Sequence, residues 1–561
     1  MQSNRHAAAA SWPMYGSATT TLKTPAATPQ GTDRPMHRMT FRMLFMGSVF
    51  ACALASPGPA PAAEAEADTP ERVLVPFNPG WQLTPDRFDP YLLAQDIASA
   101  TDVTSPAAST PTDTPVAQLE GSVKREARPN YALPAVEIIG FNFLLNRFNY
   151  HFIDKPVYDT SLQTIRDNLS AKWVVDTDPF AVNQFMHPYQ GSVYFGLARS
   201  SGLDYWTSLG YTFGGSLIWE IAGETGPPSI NDFVTTGLGG TFLGEPLFRM
   251  ANLLLEHGGD TPGFWRETGA AAISPPLGFN RLAFGDRFRA VFQSHNPATY
   301  SYVRFGWNKI DDALDGIVGQ TVKRDTATVD FHMSYGLPGK NGYRYTRPFD
   351  YFDFDFTATT ANVFENIMSR GLLIGKEYTA GDNYRGIWGL YGSYDYISPQ
   401  TFRVSSTAVS FGTTAQWWIS DNVALQGTAL AGVGYGAAGT IHGQGERNYH
   451  YGATPQALLS LRLLLGERVN VDLTARSYYV SDVASTEDRG TERIFRGDAA
   501  FTMRIHGPHA LTLKYNASRR DARYPDIPNT LQTVRTVSLL YTYYFGDARF
   551  GAVEWREAGE R

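Results

Sequence analysis

Residues 469–479 read Val-Asn-Val-Asp-Leu-Thr-Ala-Arg-Ser-Tyr-Tyr. Val469, Val471, Leu473 and Ala475 hold the odd positions, and Asn470, Asp472, Thr474 and Arg476 the even ones. Successive side chains on a strand point to opposite faces, so this segment has one apolar and one polar face. The same period of two recurs on both sides of it. Val409, Phe411, Ala415, Trp417 and Ile419 share a parity, as do Phe501, Met503 and Ile505, and Leu511, Leu513 and Tyr515. Phe352, Phe354 and Phe356 alternate with Asp353 and Asp355.

Ser420-Asp421-Asn422, Gly466-Glu467 and Gly507-Pro508 join such segments tightly, whereas Ser481–Thr491 and Asp521–Asn529 read as long polar loops. Tight turns at one end and long loops at the other predict an antiparallel transmembrane β-barrel, and the count of segments gives about twelve strands. Closure is required, because lipid offers no partner to an open strand edge. Asp330, His332, Asp355, Arg462, Asp472, Arg476, Arg504 and Lys514 fall on the polar faces and are predicted to line a hydrated lumen. Trp417, Trp418, Tyr478, Tyr479, Tyr541, Tyr543 and Tyr544 lie near strand ends, as interfacial girdles do. The last strand, Thr533–Phe545, ends in Tyr-Tyr-Phe. A soluble β-sandwich or lipocalin-like barrel is the competing fold; there the apolar faces would turn inward.

Composition agrees with an extracytoplasmic β-protein. The chain has 561 residues, with 47 Lys and Arg against 54 Asp and Glu, a net charge of −7. That balance argues against nucleic acid, whose phosphates need a clustered basic surface. One cysteine excludes a disulfide framework. A hydrophobic content of 43% with a single clean apolar run argues against a bundle of membrane-spanning helices.

That run sits in an export signal. Residues 1–35 read as disordered tail or as the product of a start codon chosen too far upstream. Residues 36–65 read as a signal peptide: Arg38 and Arg42, an apolar stretch from Met43 to Ala55, then small-x-small cleavage sites. The stretch is shorter than the roughly 20 residues a spanning helix needs. Cys52 lies within it and would leave with the signal. Residues 66–134 form a disordered linker, in which Thr101–Val116 is Ser, Thr, Pro, Ala and Asp with almost no large apolar side chains to offset the entropy of ordering. The remaining divisions are a helical segment over 135–265, a barrel over 266–546 and a tail over 547–561.

Residues 187–256 abandon the period of two. They predict three helices, at about 188–201, 204–222 and 229–256, the last kinked at Pro246. Ser229 and Asp232 mark a capping box. Gly210 and Gly214, and Gly240 and Gly244, repeat at four residues and would let helices approach closely. Polar residues punctuate the helices. His187 at one helix start, Glu220 and Glu224 at the next helix end and Asp232 just beyond the turn would converge in an antiparallel hairpin. They are the candidate catalytic set, a histidine among carboxylates suited to proton transfer. Gln190, Arg199, Asn231, Glu245 and Arg249 are the candidate binding residues. A purely structural polar network, with Glu245 paired to Arg249 at i,i+4, explains the same residues. No zinc, phosphate-loop or nucleophile-elbow motif is present, so neither a metal nor a cofactor is expected.

The series Asn183-Gln-Phe-Met-His187-Pro-Tyr-Gln-Gly191, Ala198-Arg199, Trp219-Glu220-Ile-Ala-Gly-Glu224, Ser229-Ile-Asn-Asp232 and Gly244-Glu245 resembles the bacterial domain family DUF3943, over about residues 135–260. The resemblance implies an envelope protein in which helices precede β-rich sequence, and it carries no activity. At the level of helix pattern alone, His187, the two Glu positions, Ser229, Asp232, Gly240 and Gly244 are also similar to VanZ-like membrane proteins, whose hydrophobic spans this chain lacks.

Three functions fit. The first is an outer-membrane barrel in contact with membrane lipid, a non-enzymatic channel for a small polar solute or an envelope structural protein. Its helices would lie inside the barrel mouth or against its rim. The second is an envelope enzyme acting on lipid, glycan or peptide through the His/carboxylate set. The third is a soluble periplasmic binding protein.

Overall fold

The computed structural model describes residues 128–555 except 177, 259–261, 286–291, 314–323, 440–446, 448, 484–488 and 547–548. The signal peptide, Cys52 and nearly all of the linker lie outside the described residues.

Twelve antiparallel strands close on themselves: β1 (Thr299–Ala313), β2 (Asp325–Tyr335), β3 (Phe352–Thr359), β4 (Asn366–Ala380), β5 (Tyr384–Ile397), β6 (Arg403–Ser420), β7 (Val423–Gly439), β8 (Tyr449–Leu465), β9 (Val469–Val480), β10 (Thr491–His506), β11 (His509–Tyr524) and β12 (Ile527–Phe545). Each strand pairs with its sequence neighbours, and β1 pairs with β12 to seal the barrel. The tight turns at 421–422, 466–468 and 507–508 gather at one end, here the turn end, with the start of β1. Asp521–Asn529 is not the long loop expected. Strands β11 and β12 run on until Tyr524 pairs with Ile527, because arginine, threonine and tyrosine continue the alternation. The barrel also starts later than 266, since residues 264–284 are helical.

The polar parity faces inward. Hydrogen bonds between strands that are not neighbours cross the lumen: Lys514 Nζ to Asp330 Oδ2 at 2.8 Å, Tyr478 Oη to Asp395 Oδ2 at 2.9 Å and Arg462 Nη2 with His332 Nε2 at 3.3 Å. Asp355 accepts from His332 at 2.7 Å and faces Arg370 and Arg476. All eight predicted lumen charges lie on this side. The apolar parity faces out, leaving Trp307, Phe411, Phe501, Leu513 and Leu539 exposed. The predicted girdle splits: Trp417 and Tyr541 point outward, while Trp418, Tyr478 and Tyr544 are buried in the interior, because adjacent residues cannot share a face.

After β12 the chain turns back into the lumen at the turn end. Gly546 and Gly551 hold φ of +95° and +80°, a region open to glycine. Gln426 donates to the Gly551 carbonyl at 2.7 Å, and Gln416 and Trp418 donate to that of Val553 at 2.7 and 3.0 Å. Phe550, Val553 and Trp555 are buried there. The described part of the tail, residues 549–555, therefore lies inside the barrel at its turn end.

The helices are α1 (Ala132–Phe152), α2 (Lys155–Tyr158), α3 (Leu162–Ser170), α4 (His187–Ser200), α5 (Tyr205–Ala222), α6 (Ile230–Val234), α7 (Gly240–Glu256), α8 (Phe264–Ile273) and α9 (Pro275–Phe284). The three predicted helices match α4, α5 and α6–α7. Pro246 does not break α7; the irregularities are two wider π turns, Val182–Met186 before α4 and Thr235–Gly239 between α6 and α7. Gly191 of α4 and Gly240 of α7 meet backbone to backbone, so closely that a Cβ on Gly240 would lie 2.5 Å from the Gly191 Cα. Gly210 and Gly214 have open space beside them and support no such contact. Among the described residues no helix is long and apolar enough to cross a membrane.

The helices do not enter the barrel mouth. They pack on its outside, against the end of β2, β3 and the loop-end half of β4–β8. There the strands are buried on both faces: every residue of 366–373, 391–397 and 404–408 is buried, whereas toward the turn end β5 and β6 include exposed positions such as Trp388, Phe411 and Trp417. Outward-pointing Phe352, Phe354, Ile367, Tyr394, Tyr396 and Tyr451 form one core with Phe180, Phe185, Phe195 and Phe242 of the helical segment. Charged side chains and the tail line the lumen, and the helical segment covers the apolar outer wall.

Candidate functional site

The candidate residues lie between the helices and this covered wall. The first π turn swings Asn183 and Gln184 toward β8. Asn183 Nδ2 donates to Tyr449 Oη at 3.0 Å and to Asp176 Oδ2 at 3.1 Å; Gln184 Nε2 donates to Tyr451 Oη at 2.8 Å. Tyr394 Oη of β5 donates to the Gln184 carbonyl at 2.5 Å. Asn231 Nδ2 also donates to Tyr451 Oη, at 2.7 Å. Alternation alone marks these tyrosines as outward-facing; that their hydroxyls receive a helical bundle had no sequence signal. The π turns were missed for the same reason, since the helical period continues through them.

His187, Glu220, Glu224 and Asp232 do converge. His187 Nε2 stands 4.0 Å from Asp232 Oδ2, and its Nδ1 is 3.3 Å from Thr236 Oγ1 in the second π turn. Ser229 caps α6 by accepting from Asp232 N at 3.2 Å, and its own N–H donates to Glu220 Oε2 at 2.8 Å. Trp219 Nε1 donates to Glu224 Oε1 at 3.2 Å. Asn231 links the group internally, donating to Asp232 Oδ1 at 3.0 Å. Burial, reinforced by Asp232, pushes the Glu220 carboxyl up to about 8, although His187 and the Ser229 N–H oppose the shift. Burial likewise pushes Glu224 up to about 8, against the pull of His187. Asp232 is raised well above the usual range, by burial and then by Asp176. Carboxyls that titrate near neutrality can hold or move protons. Among the described residues no three His, Cys, Asp or Glu side chains are placed to hold a metal ion.

The remaining candidates form a second, closed network. Glu245 is shared by Arg199 and Arg249, each with Nε 2.7 Å from a carboxylate oxygen. Arg199 also donates to the Leu203 carbonyl at 2.6 Å, and Arg249 to Asp350 at 2.9 Å and the Pro348 carbonyl at 2.7 Å. Asp350 belongs to the β2–β3 connection, so this chain of charges ties α4 and α7 to the barrel. Gln190 Nε2 donates to Tyr194 Oη at 2.5 Å, and Tyr194 in turn donates to Asn142. The donors of Arg249 are thus directed at protein acceptors.

Residues 172–276 match the model of a domain of unknown function, DUF3943. That stretch holds every candidate residue and the helices that carry them. Among curated proteins no relative matches. Solved structures similar to the chain include the NanC porin (9% identity, 43% of this chain and 98% of that one, TM-score 0.22). Others are the outer membrane channel DcaP of Acinetobacter baumannii (9%, 44% and 96%, TM-score 0.21) and a TodX monoaromatic hydrocarbon channel mutant (12%, 44% and 92%, TM-score 0.19). Scores this low carry no argument about function.

Proposed function

We propose that the protein is an outer-membrane β-barrel with a closed lumen, a structural component of the envelope that holds its helical segment against the outer wall. The observation that carries this is the interior. Ion pairs cross it from β1 to β9, from β2 to β11 and from β3 to β9, and the tail occupies the turn end. Among the described residues, two pockets lined by lumen side chains have volumes of only about 50 and 20 Å³. The outward apolar parity supports membrane insertion over a soluble barrel, whose exterior would be polar. The helices are on the outside, so deleting them would bare the wall and leave the lumen as it is. The test is reconstitution of the full chain in planar bilayers, after fractionation and heat-modifiable mobility have placed the folded barrel in the outer membrane. No steady conductance is expected; resolved single-channel steps at neutral pH overturn the closed-lumen reading.

A second reading is an envelope enzyme. One observation favours it: His187 and Asp232 face each other at 4.0 Å beside two carboxyls that titrate near neutrality. Mass spectrometry of envelope lipids and glycans from cells carrying His187→Asn decides it. A product lost while the barrel keeps its heat-modifiable mobility supports the enzyme; an unchanged envelope with a loosened helical segment assigns the cluster to structure.

A further inference from the structure

Two helices beside the barrel, α1 and α5, bury a row of polar residues and expose apolar ones. Helix α1 buries Asn142, Asn146 and Asn149, spaced by four and three residues on one face. Asn142 donates to the Gly215 carbonyl at 3.1 Å and Asn146 to that of Gly223 at 2.8 Å. The same helix exposes Val136, Ile139 and Phe143, also spaced by three and four residues, at 68%, 55% and 62%. Helix α5 repeats the arrangement. It buries Ser208, Thr212, Ser216 and Glu220, one turn apart, together with Tyr205 and Trp219 near its ends, and exposes Trp206, Leu217 and Ile218. Phe264 and Trp265 of α8 and Leu282 of α9 are exposed as well. A helix on a water-soluble protein shows the reverse order, apolar toward the core and polar toward solvent. Buried amides cost free energy unless they are bonded, as these are, and an apolar stripe on the outside gains nothing in water.

The stripe continues the apolar exterior of the barrel. Trp307 and Phe305 of β1 are exposed, and Phe305 pairs with the exposed Val329 of β2. Two positions further along β2, Met333 is covered by the helical segment. On the other flank Phe242 lies over Gly392, which pairs with the exposed Val409, which pairs with the exposed Val433. On that flank covered and bare wall therefore share a row of the sheet. At the C-terminal end of α1, Arg147 and Lys155 lie over the Tyr150 ring at 4.8 and 5.1 Å, an aromatic–cation grouping of the kind that sits at headgroup depth.

We propose that the helical segment is sunk in the hydrocarbon layer beside the barrel, with the outer faces of α1, α5, α8 and α9 against lipid acyl chains and its polar cluster sealed between lipid and wall. The occupant is bilayer lipid, because exposed apolar side chains recur on four helices of a segment that packs on a barrel wall whose own uncovered face is apolar. This rests on the reading of the barrel as a membrane protein.

The test uses full-length protein in liposomes of a neutral phospholipid, in a Cys52→Ala background, with one spin label at Ile139→Cys, Phe143→Cys or Trp265→Cys and a barrel control at Leu513→Cys. Collisions with dissolved oxygen and with a water-soluble nickel chelate are measured. Labels on the helices should resemble the control, with nickel collisions at least about tenfold below those of the label free in buffer, since polar solutes are excluded from hydrocarbon. Nickel access at the helix positions with a protected control overturns the inference alone. Nickel access at Leu513→Cys as well overturns the membrane barrel itself. Helix labels shielded from both reagents overturn the lipid assignment in favour of a protein partner.

Discussion

Two sectors of the same barrel wall use apolar side chains differently. In the bare sector, Leu513 and Leu539 point outward and stand 54% and 62% exposed. In the sector under the helices, Phe352, Tyr394 and Tyr451 point outward from the same kind of alternation and are at most 1% exposed. The chemistry adapts to what lies above. The covered wall offers tyrosine hydroxyls to Asn183, Gln184 and Asn231, and a glycine, Gly392, where Phe242 presses in. Alternation defines which face is apolar; it does not say whether lipid or protein covers that face.

The largest effect expected from breaking this contrast is at Glu245. Glu245→Ala leaves the guanidinium groups of Arg199 and Arg249 buried without their shared carboxylate, a loss of about 3–5 kcal/mol. Limited proteolysis should then remove the helical segment while the barrel keeps its heat-modifiable mobility; a segment as resistant as wild type contradicts the proposed tie. Phe352→Ala should cost about 3–5 kcal/mol through the cavity it leaves under the helices, measured as a lower unfolding temperature of the helical segment. Gly240→Val, forced against the Gly191 backbone, should cost about 1–3 kcal/mol, while Gly210→Ala, with open space beside it, should be neutral or slightly stabilising.

A pH effect comes next. The carboxyls of Glu220 and Glu224 are raised in the folded state from 4.5 to about 8. The associated stability is therefore complete below about pH 4.5 and is lost as pH rises through about 8. Helical-segment unfolding should occur at lower temperature at pH 9 than at pH 5, and Glu220→Gln should narrow the difference. A flat profile would contradict the raised carboxyls of Glu220 and Glu224. The smallest effect is predicted at Leu513→Ala, within about 0.5 kcal/mol, because this side chain faces outward, 54% exposed, beside only its cross-strand neighbours Phe501 and Leu539. A loss comparable to that of Phe352→Ala would erase the distinction between the two sectors.

Much of this architecture is legible in the chain. The period of two in 409–419, 469–479 and 499–515 marks strands and their inward charges, and all eight predicted lumen charges face the interior. The helix boundaries near Ser201, Ala222 and Glu256 follow from caps and glycines. His187, Glu220, Glu224 and Asp232 were readable as one group because helix length and the turn at 223–229 bring their ends together. The π turns, the tyrosines of β5 and β8 and the return of residues 549–555 into the lumen were not readable. Each depends on contacts between residues far apart in sequence, which no local period encodes. The position of the helices was misread because a polar helix beside a polar lumen looks like a plug.

Local pattern by itself determined the strands, their number, the sidedness of their charges and the membership of the polar cluster, since parity and helical spacing are properties of neighbouring residues. Only the tertiary structure decided that ion pairs cross the lumen, that residues 549–555 return into its turn end and that the helices lie on the outer wall. Those outcomes turn on which of two apolar or polar surfaces is already occupied, a competition settled by packing in three dimensions.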